Sequence, residues 1–167
     1  MAGKFRYAEG LKVLPILTAA DVVATATNTS YVDLDTANWA SFLVTFGAIA
    51  SSDSTGDVVI TVQASTAGSS NATEGNVAFS YRISAAVDTD TMGAITAATA
   101  AAGATIVNTL DNTVVVVDLD PAVVGATADR RFVRLVLTPT SEVTSTIVGV
   151  TAILEPKYPG NSIPSST

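Results

Sequence analysis

The sequence predicts an all-β protein, an antiparallel sandwich of about eight strands, on three observations. Apolar residues recur at every second position in four separate segments, the period of a strand with one buried and one wetter face. Clusters of Ser, Asp, Asn and Gly punctuate those segments, and such residues build tight turns. Charged residues make up only 14% of the 167 positions, against about 25% in an ordinary soluble domain. Ala, Thr, Val and Ser take the vacated positions, and β-branched side chains suit a pleated surface.

The elements follow in chain order. Residues 1–15 read as an N-terminal arm; they carry Lys4, Arg6 and Lys12, three of the eight basic residues, beside Phe5 and Tyr7. This start imitates an export signal, with the apolar run Val13 to Leu17 and a cleavage-like Ala24-Thr25-Ala26. Glu9, Pro15 and Asp21 interrupt what should be an unbroken apolar stretch, which argues against a signal. Residues 16–154 form the sandwich domain. Its first strand candidate, Val22 to Asp33, is rich in threonine.

Clear alternation begins at Trp39 to Ala48, where Phe42, Val44 and Phe46 oppose Ser41, Leu43 and Thr45. In Asp57 to Ser65, Val58, Ile60, Val62 and Ala64 oppose Asp57, Thr61 and Gln63. Phe79, Tyr81 and Ile83 repeat the pattern, as do Val133, Leu135 and Leu137. Thr105 to Thr109 is a short candidate and Thr146 to Leu154 the last. Thr113 to Leu119 holds four consecutive valines, a run that predicts burial on both faces. The turns are Ser51 to Gly56, Ala67 to Asn71 and Asp111-Asn112.

Helix is scarce. Asp120 before Pro121 forms an N-cap with proline at the first helical position, and Gly125 ends that helix within about one turn. The Ala-rich stretch Ala94 to Ala104 is flanked by Gly93 and Gly103 and reads as a loop as readily as a helix. Residues 155–167 contain three prolines and read as an extended tail.

Function classes fall away by composition. No cysteine or histidine is present, which removes thiol nucleophiles, Cys/His zinc sites and the commonest proton shuttle near neutral pH. Serines and threonines therefore lack an activating imidazole, and no Gly-x-Ser-x-Gly elbow occurs. The expectation is a protein that is not an enzyme and uses no cofactor. A net charge of −7 argues against nucleic acid, which demands a basic footprint; Arg130, Arg131 and Arg134 are the only tight basic cluster. No 18-residue apolar run suggests a membrane span.

Three acidic pairs, Asp33 with Asp35, Asp88 with Asp90 and Asp118 with Asp120, could ligate calcium. The stretch from Asp88 starts like a calcium loop but puts Met92 where an oxygen ligand belongs. Aspartates at strand ends also make turns and blunt edges, and that reading is preferred: no metal is expected. Trp39 is expected to anchor the core or a sheet edge.

Several stretches in order resemble the jelly-roll decoration (cement) proteins on the heads of tailed bacteriophages. They are Asn28-Thr-Ser-Tyr-Val-Asp-Leu34, Asn38-Trp-Ala-Ser-Phe-Leu-Val-Thr-Phe-Gly47 and Val62-Gln-Ala-Ser-Thr-Ala67. Tyr81-Arg-Ile-Ser84, Arg131-Phe-Val-Arg-Leu135 and Leu154-Glu-Pro-Lys-Tyr-Pro159 continue the series. The resemblance covers about residue 20 to the C-terminus and rests on structural stretches, not on a chemical signature. It implies a structural protein on the outer surface of the virion. Its partners would be the major capsid protein and neighbouring copies of itself, with the sandwich stabilising contacts between capsomers. Capsid contact is assigned to Lys4, Phe5, Arg6 and Tyr7, with Tyr158 as a second anchor. The rival reading is a tail-associated or receptor-binding recognition module, which would need a ligand pocket or an exposed aromatic cluster.

Overall fold

Alternation in the sequence becomes two antiparallel sheets. The computed structural model describes residues 11–69, 73–86, 89, 91–126 and 129–157. Its strands are β1 (Lys12–Asp21), β2 (Thr27–Asn28), β3 (Val32–Asp33), β4 (Ala37–Ser51), β5 (Asp57–Ser65) and β6 (Glu74–Val77). They continue with β7 (Phe79–Ile83), β8 (Thr96–Ala98), β9 (Ala104–Val107), β10 (Val114–Leu119), β11 (Phe132–Pro139) and β12 (Val143–Pro156). Among the described residues, one short α-helix, α1 (Pro121–Gly125), lies between β10 and β11, and a 3-10 turn spans Asn108–Leu110; Asp120 caps α1 by accepting the Ala122 N–H at 2.8 Å.

The first sheet has the order β1-β12-β4-β10-β7-β8, and the second runs β2-β11-β5-β6. β3 shares the free edge of β11 with β2, and β9 shares that of β5 with β6. If β2 and β3 count as one interrupted strand, and β7 to β9 as an insertion, eight strands remain of the twelve. In chain order these switch between sheets at each step except the β5–β6 hairpin, the path of a jelly roll.

The interruption between β2 and β3 has a local cause. Thr29 is buried and turns its hydroxyl to the backbone, accepting the Leu135 N–H at 3.0 Å and donating to the Ser30 carbonyl at 3.1 Å. The side chain thereby stands in for a ladder bond.

The core fills the space between the sheets. Phe42, Val44, Val115, Val117, Val148 and Val150 come from the first sheet; Val58, Ile60, Val62, Val133, Leu135 and Leu137 come from the second. Each such side chain contributes about 1.5–3 kcal/mol over its exposed state.

Four expectations change. Residues 12–15, placed in the arm, begin β1: Lys12 lies opposite Leu154 and Pro15 opposite Thr151. Likewise β12 continues through Glu155 and Pro156, which lie opposite Trp39 and Ala37. The valine run is not buried on both faces. Val115 and Val117 point inward, whereas Val114 and Val116 are only half-buried on the outer side. Within the Ala-rich stretch, residues 96–98 add β8 beside β7.

Candidate interaction surfaces

The two sheets present chemically different outer faces, and cross-strand register fixes what each carries. On the first sheet, Val13 lies opposite Ile153, Ile153 opposite Ser41, and Ser41 opposite Asp118. The neighbouring row runs Pro15, Thr151, Leu43, Val116 and Arg82. Trp39, opposite Glu155, stands at the end of the same face and is 37% exposed. Trp39 thus anchors neither the core nor an edge, because its position on the central strand β4 has outward parity. Val13 is 44% exposed, and Leu43, Val116 and Ile153 are half-buried. Two of the charges on this face pair locally: Asp118 accepts from the Ser41 hydroxyl and faces Arg82 at 3.7 Å. An apolar stripe crosses four neighbouring strands, β1, β12, β4 and β10.

The second sheet is finished differently. Arg134 projects outward from β11, donating through Nε to Gln63 Oε1 at 2.8 Å and through Nη2 to both Glu74 oxygens at 3.1 and 3.2 Å. Its guanidinium lies 4.7 Å from the centre of the Tyr31 ring, and the Tyr31 hydroxyl donates to Glu74. Burial first, and then the bond to Glu74, raise the Tyr31 phenol above its ordinary pKa. Nearby, Arg131 stacks on Phe132 at 4.8 Å and reaches Asp33 and Asp35 at 3.7 and 3.6 Å. Both Arg131 and Arg134 are thus matched by carboxylates.

The acidic pairs are thereby accounted for where they are described. Asp33 and Asp35 serve Arg131, Asp118 serves Ser41 and Arg82, and Asp120 caps α1. Among the described residues, no group of three or more His, Cys, Asp or Glu side chains could hold a metal ion. Nor is any helix among them long and apolar enough to cross a membrane. The assigned capsid contacts Lys4, Phe5, Arg6, Tyr7 and Tyr158, and the pair Asp88 and Asp90, lie outside the described residues.

Sequence reasoning missed the Arg134–Glu74–Tyr31–Gln63 network, whose members are far apart in the chain. The signal that could have found it is the outward parity of Arg134 and Gln63 on two strong strands.

The fold and surfaces define a jelly-roll sandwich with one apolar and one ion-paired outer face. No family model and no curated protein sequence matches the chain. Among solved structures, the chain is similar to the SPBc2 prophage-derived protein YomS. That alignment has 14% identity and a TM-score of 0.37, covering 86% of this chain and 91% of that one. It is also similar to infectious bursal disease virus Gt strain at 12% identity and a TM-score of 0.27, covering 87% of this chain and 40% of that one. Overlaps this loose assign no role.

Proposed function

We propose that this chain is a structural decoration protein of a phage head. It would bind the outer surface of the capsid through the major capsid protein and stabilise contacts between capsomers. The observation that supports this most is the unequal finish of the two sheets. A contiguous apolar stripe on a folded chain is a marker of association, and here one crosses four strands on the outside of one sheet, while on the other sheet Arg131 and Arg134 are matched by carboxylates. The stripe is proposed to lie against the shell and the ion-paired face to meet water.

The edges fit face-on attachment. Edge strand β1 carries Pro15 and two register shifts, between Pro15 and Leu17 and between Leu17 and Ala20. Proline and bulges prevent a neighbouring strand from adding to an edge. Lys4, Phe5, Arg6 and Tyr7, with Tyr158, remain the proposed capsid anchors. Many copies, each held by modest contacts and linked to neighbouring copies, would attach firmly through avidity. No catalytic step and no cofactor is part of this role.

The test is co-sedimentation of the purified full chain with mature heads stripped of their decoration. The expected result is saturable binding to the shell, weakened by deletion of residues 1–10. A chain that stays in the supernatant, or that labels only tails, rejects the proposal and promotes a recognition module.

A further inference from the structure

Among the described residues, β1 is the first strand of the chain and an edge of its sheet, pairing with β12 alone. It is nonetheless part of the core: Ile16 is buried, and Leu14 and Leu17 pack against the buried cluster. Asp21 clamps its far end, accepting the Thr146 N–H at 2.9 Å and the Ser145 hydroxyl at 3.2 Å. Val22 follows, buried and donating to the Thr146 carbonyl at 2.8 Å. The chain then leaves β1 through residues 23–26, of which Ala24, Thr25 and Ala26 are exposed. This link is strained. Ala24 has φ +61°, and the Thr25 N–H donates to the Val23 carbonyl at 2.6 Å. A bond between residues two apart, closed around a positive φ, is the rare and strained form of the γ-turn. Asn112 and Asp129 also have positive φ, but their residue types tolerate it and alanine does not.

A short, strained link between an edge strand and its domain favours exchange of that strand between copies. We infer that β1 is exchanged between two copies of this chain, each β1 pairing with the β12 of the other. Every contact of β1 with its domain is reproduced between chains. The gain is the release of two strained γ-turns, set against the entropy lost on association. Addition of a further strand to this edge is a different matter, because Pro15 and the two register shifts oppose it. Replacement of β1 joins two copies where addition beside it cannot. Copies gathered on one surface have a high effective concentration, which shifts the balance toward exchange. The exchange supplies the link between neighbouring copies that the decoration reading uses, yet it stands or fails separately, because the free chain suffices to test it.

The experiment uses the absence of cysteine from the chain. Val13 and Ile153 lie opposite one another on β1 and β12, so Val13→Cys with Ile153→Cys can form one disulfide across that pair. The full-length double variant is refolded from urea over a range of concentrations, oxidised and run on a non-reducing gel. Exchange should give covalent dimer in a share that rises with concentration, whereas a chain closed on itself gives covalent monomer. Ala24→Gly, which takes a positive φ without strain, should raise the dimer dissociation constant at least about fivefold. Ala24→Pro cannot adopt a positive φ and should increase the dimer share at each concentration. Should the proline variant fail to fold, Ala24→Gly alone decides. The exchange is overturned by covalent monomer alone at every concentration, or by a dimer share that Ala24→Gly leaves unmoved. Equal dimer from either single-cysteine variant would also overturn it and mean contact between apolar stripes. Failure of the parent chain to bind heads would reject the decoration role and leave the exchange standing.

Discussion

Arg134 organises the outer face of the second sheet because its planar guanidinium can serve Gln63, Glu74 and the Tyr31 ring at once, which a lysine could not do. Its side chain is 11% exposed and that of Glu74 21%, so the pair is only weakly screened. Arg134→Met keeps most of the packing but leaves the Glu74 carboxylate without its cation, with only the Tyr31 hydroxyl donating to it among the described residues. It should cost about 1–3 kcal/mol in urea denaturation; a loss near zero would show the network to be ornamental. Tyr31 gives a pH signature. Its pKa is raised in the folded state, so the neutral phenol is the favoured form. The stability it adds is complete below the unfolded value of about 10 and is lost as pH rises through the folded value. The stability difference between the parent and Tyr31→Phe should therefore be constant up to about pH 9 and shrink above it. A difference that holds constant into strong alkali would contradict this account.

Elements with a strict period of two were legible in the sequence, and those shaped by neighbours were not. Expected strand Asp57 to Ser65 matches β5 residue for residue, because its whole inner face is apolar. β1 was hidden for a physical reason. Its two register shifts break the alternation that betrays a strand, and Val13 to Leu17 then reads as an undirected apolar run. β8 was hidden by composition, since Ala and Thr carry little preference until β7 offers a partner. The valine run misled because Val116 is apolar yet outward, a feature of the surface stripe and not of the core. An open cleft at one end of the sandwich could not be read at all, since it joins Leu34, Asp120, Arg131 and Lys157 from distant parts of the chain. Between β8 and β9 sits Gly103, with φ +66° and oriented so that a Cβ would meet the Ile60 carbonyl oxygen. A methyl there would press on β5 backbone that pairing holds in place. Gly103→Ala should destabilise by about 1–3 kcal/mol, visible as a lower thermal midpoint, and an unchanged midpoint would refute the close approach.

At the scale of the molecule, the unequal faces make the attachment side testable without touching the core. Val116 lies in the middle of the apolar stripe, directly across from Arg82. A glutamate there gains an opposite charge as cross-strand neighbour, worth roughly 0.2–1 kcal/mol, so Val116→Glu should fold. Thr138 on β11 is exposed on the ion-paired face of the other sheet and serves as the matched control. If the stripe lies against the shell, Val116→Glu buries a carboxylate in an apolar contact, a costly placement. Its affinity for stripped heads should fall at least about tenfold, while Thr138→Glu binds like the parent. The reverse pattern would turn the molecule over on its target. Equal retention by both variants would place attachment outside the two sheet faces altogether, with the arms as its remaining means.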